Sequence, residues 1–479
     1  MMTMALRMKI ILLIKKLVKA FTRILLFQRI NGGGFRRPKF YTMKKTINLI
    51  TALLLLGATV SSQPTIYPAP ENNGLIYITH ATIHVGNGNI INDGTIRINK
   101  GKIENVGTNI PVPSGDVKVY DVKGKQVYPG LINSITNLGL KEVSGGVRGT
   151  NDYVELGNMN PSVRSIVAYN TDSRVINVLR TNGILLANVI PQDEEGSSQL
   201  ISGTSSVVQL DAWNWEDAAY KMDGQMHFNM PSLVARRSRF GAAPQTDPVK
   251  EALQRIDEVK VFFKEAKAYL AEPVHKETNL KFEAAKNLFN KKQKLFVHCN
   301  AVKEMLLAID FVKEFGFDVV IVGGADSWQI AALLKQNNIA VILGQPHSLP
   351  ATHDDDVDQP FKTPYLLQKA GVLFAIADND GTTRGRNLMY NAGTAASYGL
   401  TKEQALSAIT FSAAKILGID SITGTIEAGK DANIIVSEGD ILDMENSVVD
   451  LAFIQGRKIN LDNKQTQLAE RYKFKYGLK

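Results

Sequence analysis

The sequence predicts an α/β protein: a (β/α)8 barrel carrying an accessory β-sandwich formed by both ends of the chain. Two observations lead there. Over residues 128–420, short uninterrupted apolar runs alternate with helical stretches, the pattern of a parallel sheet buried on both faces. On either side, over residues 75–127 and 421–464, the pattern becomes one of short strands broken by glycine, proline and asparagine turns. A length of 479 residues accommodates one large barrel and an accessory domain.

Residues 1–42 are basic and apolar, contain Gly32-Gly33-Gly34, and read as an upstream extension that is not native; a basic membrane-surface helix is the other reading. From Met43 the chain runs Met-Lys-Lys, then an apolar segment Ile47–Val60, then Ser61-Ser62-Gln63. That is the order of a signal peptide over 43–62, with Gln63 as the mature N-terminus. The expectation is an exported protein, periplasmic in a Gram-negative cell. No second apolar segment is long enough to span a bilayer. Cys299 is the single cysteine, so no internal disulfide forms. The net charge of +9 comes from twelve Lys and Arg in residues 1–62, which hold no acid; without them residues 63–479 carry −3. A mildly acidic body argues against a nucleic-acid partner.

The N-terminal part of the sandwich reads as strands at Leu75–Thr79, Ala81–Val85, Gly94–Asn99, Lys102–Val106 and Val117–Asp121. Its C-terminal part includes Gly424–Val436 and Leu451–Ile459. In the barrel, strands are expected at Gly183–Ile190, Leu295–His298, Val319–Gly323, Ile339–Leu343 and Val372–Ala377. Helices are expected at Ser173–Asn182, Ala301–Phe315, Ser327–Asn338, Pro364–Ala370, Asn387–Gly399 and Lys402–Leu417. Residues 247–293 form a helical insertion with Leu253, Ile256, Val259, Phe263, Ala266 and Leu270 on one face. It reads either as a lid or contact in a homo- or hetero-oligomer, or as a helix pair packed on the barrel. No glycine-rich phosphate loop and no Gly-x-Ser-x-Gly is visible.

Several segments carry a resemblance. Tyr128-Pro-Gly130 leads into Leu131-Ile-Asn-Ser-Ile-Thr-Asn137; Thr410-Phe-Ser-Ala-Ala-Lys-Ile-Leu-Gly418 and Gly424-Thr-Ile-Glu-Ala-Gly-Lys-Asp-Ala-Asn433 follow near the other end. From about Leu75 to Leu461 the chain resembles the amidohydrolase superfamily, in its exported imidazolonepropionase-like or prolidase-like bacterial branch. The resemblance implies metal-assisted hydrolysis of a C–N bond in a small amide or peptide, with one or two divalent ions such as Zn or Mn. It also implies ligands at strand ends: His-x-His after the first strand, Lys or Glu after the fourth, His after the fifth and sixth, Asp after the eighth.

Carried over residue by residue, the first-strand pair falls on Ile135 and Asn137, with Asn133 in place of the usual aspartate. The fifth falls on His298, the sixth on Gly323 or Gly324, and the eighth on Asp378. The fourth has no obvious position. His298 and Asp378 are therefore the candidate catalytic and metal-binding residues, against a reading of each as a hydrogen-bonded structural group. Asn137, Asn300 and Arg384 are candidate substrate contacts, with Thr136 alongside. His347 and His353 flank an acidic stretch, Asp354–Asp358, which reads as a metal loop or a solvated one. His80 and His84 read as structural, and Trp213 and Trp215 as a pocket frame or a packed loop. Two functions stay open: a hydrolase with a reduced or rearranged metal site, and a catalytically inactive binding or partner subunit.

Overall fold

The computed structural model describes residues 67–115, 117–142, 152, 154–191, 199–233, 247–350 and 354–478. The signal segment, the extension before it and His353 lie outside the described residues. Two eight-stranded sheets make up the fold.

The accessory sheet contains β1 (Leu75–His84), β2 (Ile90–Asn99), β3 (Lys102–Gly107), β4 (Lys118–Asp121) and β5 (Gln126–Pro129). The far end of the chain adds β14 (Ile434–Ser437), β15 (Val449–Ile454) and β16 (Arg457–Lys458). Its strand order is β16-β15-β14-β5-β1-β2-β3, with β4 also on β1. The two strands expected at 75–85 are one strand with an irregularity at His80, which takes φ +58°. That extra residue keeps Ile76, Ile78, Ala81 and Ile83 on one face, where an uninterrupted period of two would turn Ala81 outward. The same strand then pairs with β4 along one half and β5 along the other.

The barrel sheet runs β6 (Leu131–Thr136), β7 (Ile184–Val189), β8 (Ile201–Gln209), β9 (Ala219–Asn229), β10 (Lys294–Cys299), β11 (Val319–Gly323), β12 (Ala340–Leu343) and β13 (Phe374–Ile376), in sequence order. Seven strands are parallel. β8 is antiparallel to both neighbours. Ile132, Leu186, Val207, Phe296, Val320, Ile342 and Ala375 fill the interior. Helices α1 (Arg174–Arg180), α2 (Pro248–Ala271), α3 (Val302–Phe315), α4 (Ala331–Gln336), α5 (Gln359–Ala370), α6 (Leu388–Ser397), α7 (Lys402–Ala408) and α8 (Phe411–Leu417) cover it. The single helix expected over 402–417 is two, α7 and α8.

The insertion packs on the barrel. Ile256, Val259, Phe263 and Ala266 of α2 join the main core, with Phe263 edge-on to Phe317. Ala252 is buried where Leu253 was expected, and Leu253 is 42% exposed. The sheet and barrel are joined by His84. Its Nδ1 lies 2.6 Å from Glu403 and its Nε2 2.9 Å from Gln126 Oε1. Burial alone would lower its pKa, but those two partners raise it. His80, exposed, pairs with Asp121.

β6 and β13 close the barrel without a backbone ladder between them. The buried side chain of Asn133 spans the gap: its Nδ2 donates to Asp378 O at 2.8 Å and its Oδ1 accepts from Asp378 N at 3.3 Å. Replacing it by an apolar residue strands two buried backbone groups. Asn133→Leu is therefore expected to cost about 2–4 kcal/mol in urea unfolding; a change below about 0.5 kcal/mol would show that the seam does not depend on it.

Candidate functional site

Chemistry on a (β/α)8 barrel sits where the strands end, and the residues singled out in the sequence lie at or just past the C-terminal ends of β6, β10, β11 and β13. Each is already engaged. Ile135 is buried in the barrel core. Asn137 Oδ1 accepts from Gly381 N at 3.1 Å, tying the loop after β13 to the loop after β6. A Cβ on Gly381 would lie 2.2 Å from that oxygen, so the contact requires glycine. Thr136 Oγ1 accepts from Leu138 N.

On the next side, Asn300 Oδ1 accepts from Ala325 N at 3.4 Å and Asn300 O from Asp326 N at 3.1 Å. Gly323 takes φ +98°, and a Cβ there would lie 2.6 Å from Asn300 Oδ1. Gly324 is left-handed too, at φ +59°, so a histidine at either candidate sixth-strand position would be strained and crowded.

Asp378 is fully buried. Its carboxylate accepts from Arg384 Nε at 3.0 and 3.1 Å, Asn391 Nδ2 at 3.3 Å and Asp380 N at 3.1 Å. Arg384 is placed by its own backbone N donating to Asp380. Asp380 accepts from Thr382, Thr383 and Arg384; burial opposes its charge, but these bonds hold it far below the usual carboxylate range. Arg384 and Asp378 therefore belong together, as an ion pair in the loop after β13.

The fourth-strand position, unplaced from sequence, falls on β9, which ends His227-Phe228-Asn229. His298 pairs with Asn229 in register, and parallel partners share a face. His227 Nδ1 lies 2.8 Å from His298 Nε2, and its Nε2 2.7 Å from Ser205 Oγ. Ser205 Oγ donates to Gln225 Oε1 at 2.8 Å, and Gln225 Nε2 to Leu417 O at 3.3 Å. His227, Ser205 and Gln225 were not singled out in the sequence. The signal available was the alternation Gln225-x-His227-x-Asn229, three polar residues on one face of a buried strand.

A divalent ion does not fit these side chains. His298 Nε2 is committed to His227, both Asp378 oxygens are committed to Arg384, Asp380 and Asn391, and an isoleucine, an asparagine and a glycine replace three histidines. Among the described residues no three His, Cys, Asp or Glu side chains group as ligands; a zinc site takes three or four. His347 bonds Thr394 instead, and Asp356 and Asp358 pair with Lys362. Trp213 is 63% exposed and sits against Tyr67. A cavity of about 140 Å³ opens at the ends of β10–β12 beside α5, among Asn300, Gly323, Ala325, Gln345, Ser348 and Thr363. His298 and Asp378 do not line it.

Comparison with known proteins agrees with the architecture. The amidohydrolase family profile matches residues 330–459. Amidohydrolase tasK of Hapsidospora irregularis is 21% identical over 395 residues, 73% of this chain and 38% of that protein. The imidazolonepropionase of Mesorhizobium japonicum is 34% identical over 110 residues, 22% of this chain and 25% of that protein. The chain thus spans well under half of these curated relatives. A crystal structure of an amidohydrolase from Thermotoga maritima superposes with a TM-score of 0.69 at 25% identity, covering 80% of this chain and 99% of that one. A prolidase structure complexed with N-methylphosphonate-L-proline gives 0.51 at 14% identity, covering 81% and 99%. By the family match over residues 330–459 and this structural likeness the chain belongs to the amidohydrolase superfamily.

Both imidazoles are neutral near pH 7. Burial, with His298 adding, pushes His227 well below its ordinary value, and burial takes His298 down to about 4. The unfolded chain binds protons below about pH 6.5 that the folded pair refuses. Their stability contribution is complete above pH 6.5 and falls as the pH drops toward 4, by on the order of a few kcal/mol. The urea midpoint is expected to fall less steeply from pH 7 to pH 4.5 in His298→Gln than in the native chain; equal slopes would contradict this.

Proposed function

We propose that this protein binds a small amide- or peptide-like molecule at the barrel mouth without metal-assisted hydrolysis. One observation carries the reading: the family's ligand positions at Asn137, Gly323 and Asp378 are occupied by hydrogen bonds and backbone geometry that hold the strand-end loops together. The molecule is small, because the cavity at the mouth is about 140 Å³ and drug-sized sites need about 300–1,000 Å³. The class of molecule is drawn from the family's substrates.

A second reading, hydrolysis of a C–N bond around a rearranged ion, is favoured by the meeting of His227 and His298 at the ends of β9 and β10. Elemental analysis of residues 63–479 produced with added zinc and manganese separates the two. Binding without hydrolysis predicts less than about 0.2 equivalents of metal. Near-stoichiometric metal that is lost in His298→Ala would overturn it in favour of the hydrolase.

The protein is also proposed to be exported. The Lys44-Lys45 pair and the apolar segment ending before Ser61 support this. Expression from Met43 in a Gram-negative host should give a periplasmic protein whose N-terminus, read by mass spectrometry, is Gln63. An uncleaved cytoplasmic product would contradict export.

A further inference from the structure

A chain of hydrogen bonds threads the barrel from its lower end to its mouth, and it has only one consistent direction. At the lower end, the last carbonyl of α8, Leu417 O, accepts from Gln225 Nε2 and from Lys221 Nζ. That fixes the Gln225 amide with Oε1 toward Ser205; the flipped amide would set two oxygens against each other. Ser205 has one hydroxyl proton, and Gln225 Oε1 takes it. Ser205 Oγ must then accept from His227 Nε2–H. His227 is fully buried and hydrogen-bonded only to Ser205 and His298, with no carboxylate to balance a charge, so it carries one ring proton and its Nδ1 is an acceptor. His298 must therefore donate Nε2–H to His227 Nδ1. His298 has no carboxylate partner either, so it too carries a single ring proton, and with that proton on Nε2 its Nδ1 is unprotonated.

His298 stands one residue from the end of β10 and keeps some solvent access. Its Nδ1 has no hydrogen-bond partner among the described residues. Beside it in the sheet, Asn229 turns Nδ2 to Gln199 O at 3.4 Å, and its Oδ1 becomes a second acceptor on the same face. We infer that the interior hydrogen-bond chain locks His298 in its Nε2–H tautomer, and that the mouth recognises a ligand through N–H or O–H donors placed on His298 Nδ1 and Asn229 Oδ1. Neither atom lines the cavity among Asn300, Gly323 and Gln345, so this contact is a second place at the mouth; the inference rests on the binding reading above for there being a ligand, though not for the tautomer. The polar neighbours of His298 in the sheet are His227, which it contacts, and Asn229, its register partner on β9. An acceptor-only group, a tertiary amide or a carboxylate, would meet lone pairs on both.

The test is nitrogen NMR on the whole chain from residue 63, labelled with ¹⁵N-histidine and assigned through His298→Gln. Both His227 and His298 should show a protonated Nε2 and a pyridine-type Nδ1 at pH 7. In Ser205→Ala, His227 loses its fixed acceptor, and both rings should lose the single tautomer while the other histidines stay unchanged. An Nδ1–H tautomer at either ring in the native chain, or unaltered tautomers in the variant, would overturn the lock. Acetamide and N,N-dimethylacetamide then serve as probes that differ in N–H donors. A saturable shift of the His298 Nδ1 resonance with acetamide and none with the dimethyl compound is the expected result. Equal shifts, or none, would overturn donor recognition. Acetamide hydrolysed by a metal-loaded chain would instead sink the binding reading while leaving the tautomer result standing.

Discussion

The barrel stands on the seam between its first and last strands. A sheet of eight strands leaves two edges unless they meet, and open edges expose unpaired backbone groups. Here β6 and β13 meet through one side-chain amide, Asn133, which imitates a peptide group and bonds both the N–H and the C=O of Asp378. The neighbouring amide, Asn137, repeats the arrangement one layer higher by holding Gly381. The positions where the family normally gathers charge around an ion are thereby used for closure. The Asp378 carboxylate itself is held by Arg384 and Asn391.

Neutrality of the interior follows. A charged imidazole among Phe296, Val207 and Ile342, with no carboxylate beside it, would be uncompensated. The pair His227–His298 is stable there because each nitrogen that is buried has a partner. The lower end of the barrel is treated differently. Lys221 and Lys294 reach the terminal carbonyls of α8, where the helix dipole favours a cation. Burial lowers the pKa of both. Charge is thus confined to the base and the outer loops, while the path between them is made of neutral donors and acceptors.

The architecture was legible because its strands are apolar runs: Leu295–His298, Val319–Gly323 and Ile339–Leu343 are nearly the observed β10, β11 and β12. β8 and β9 were not legible. Ile201-Ser-Gly-Thr-Ser-Ser reads as a loop by composition, yet its small side chains are buried and bonded inside the barrel. Asp223-Gly224 reads as a turn, yet Asp223 is accommodated within β9 at φ +52° with its N–H on Ser206 Oγ. Missing those two strands hid His227, and with it the partner that gives His298 its orientation. Sequence position located His298, Asp378, Asn137 and Asn300 at the mouth. It could not tell which of their atoms were already engaged, because those partners lie on loops far away in the chain.

Gly323 limits which side chains the mouth can accept. Its left-handed backbone and its close approach to Asn300 mean that a histidine restored at that place would need the β11 loop to be rebuilt first. The same holds across the mouth, where a larger residue in place of Asn137 would displace Gly381. Introducing a histidine at either place therefore strains a loop that neighbouring residues hold, and fitting both would require coordinated changes in separate loops.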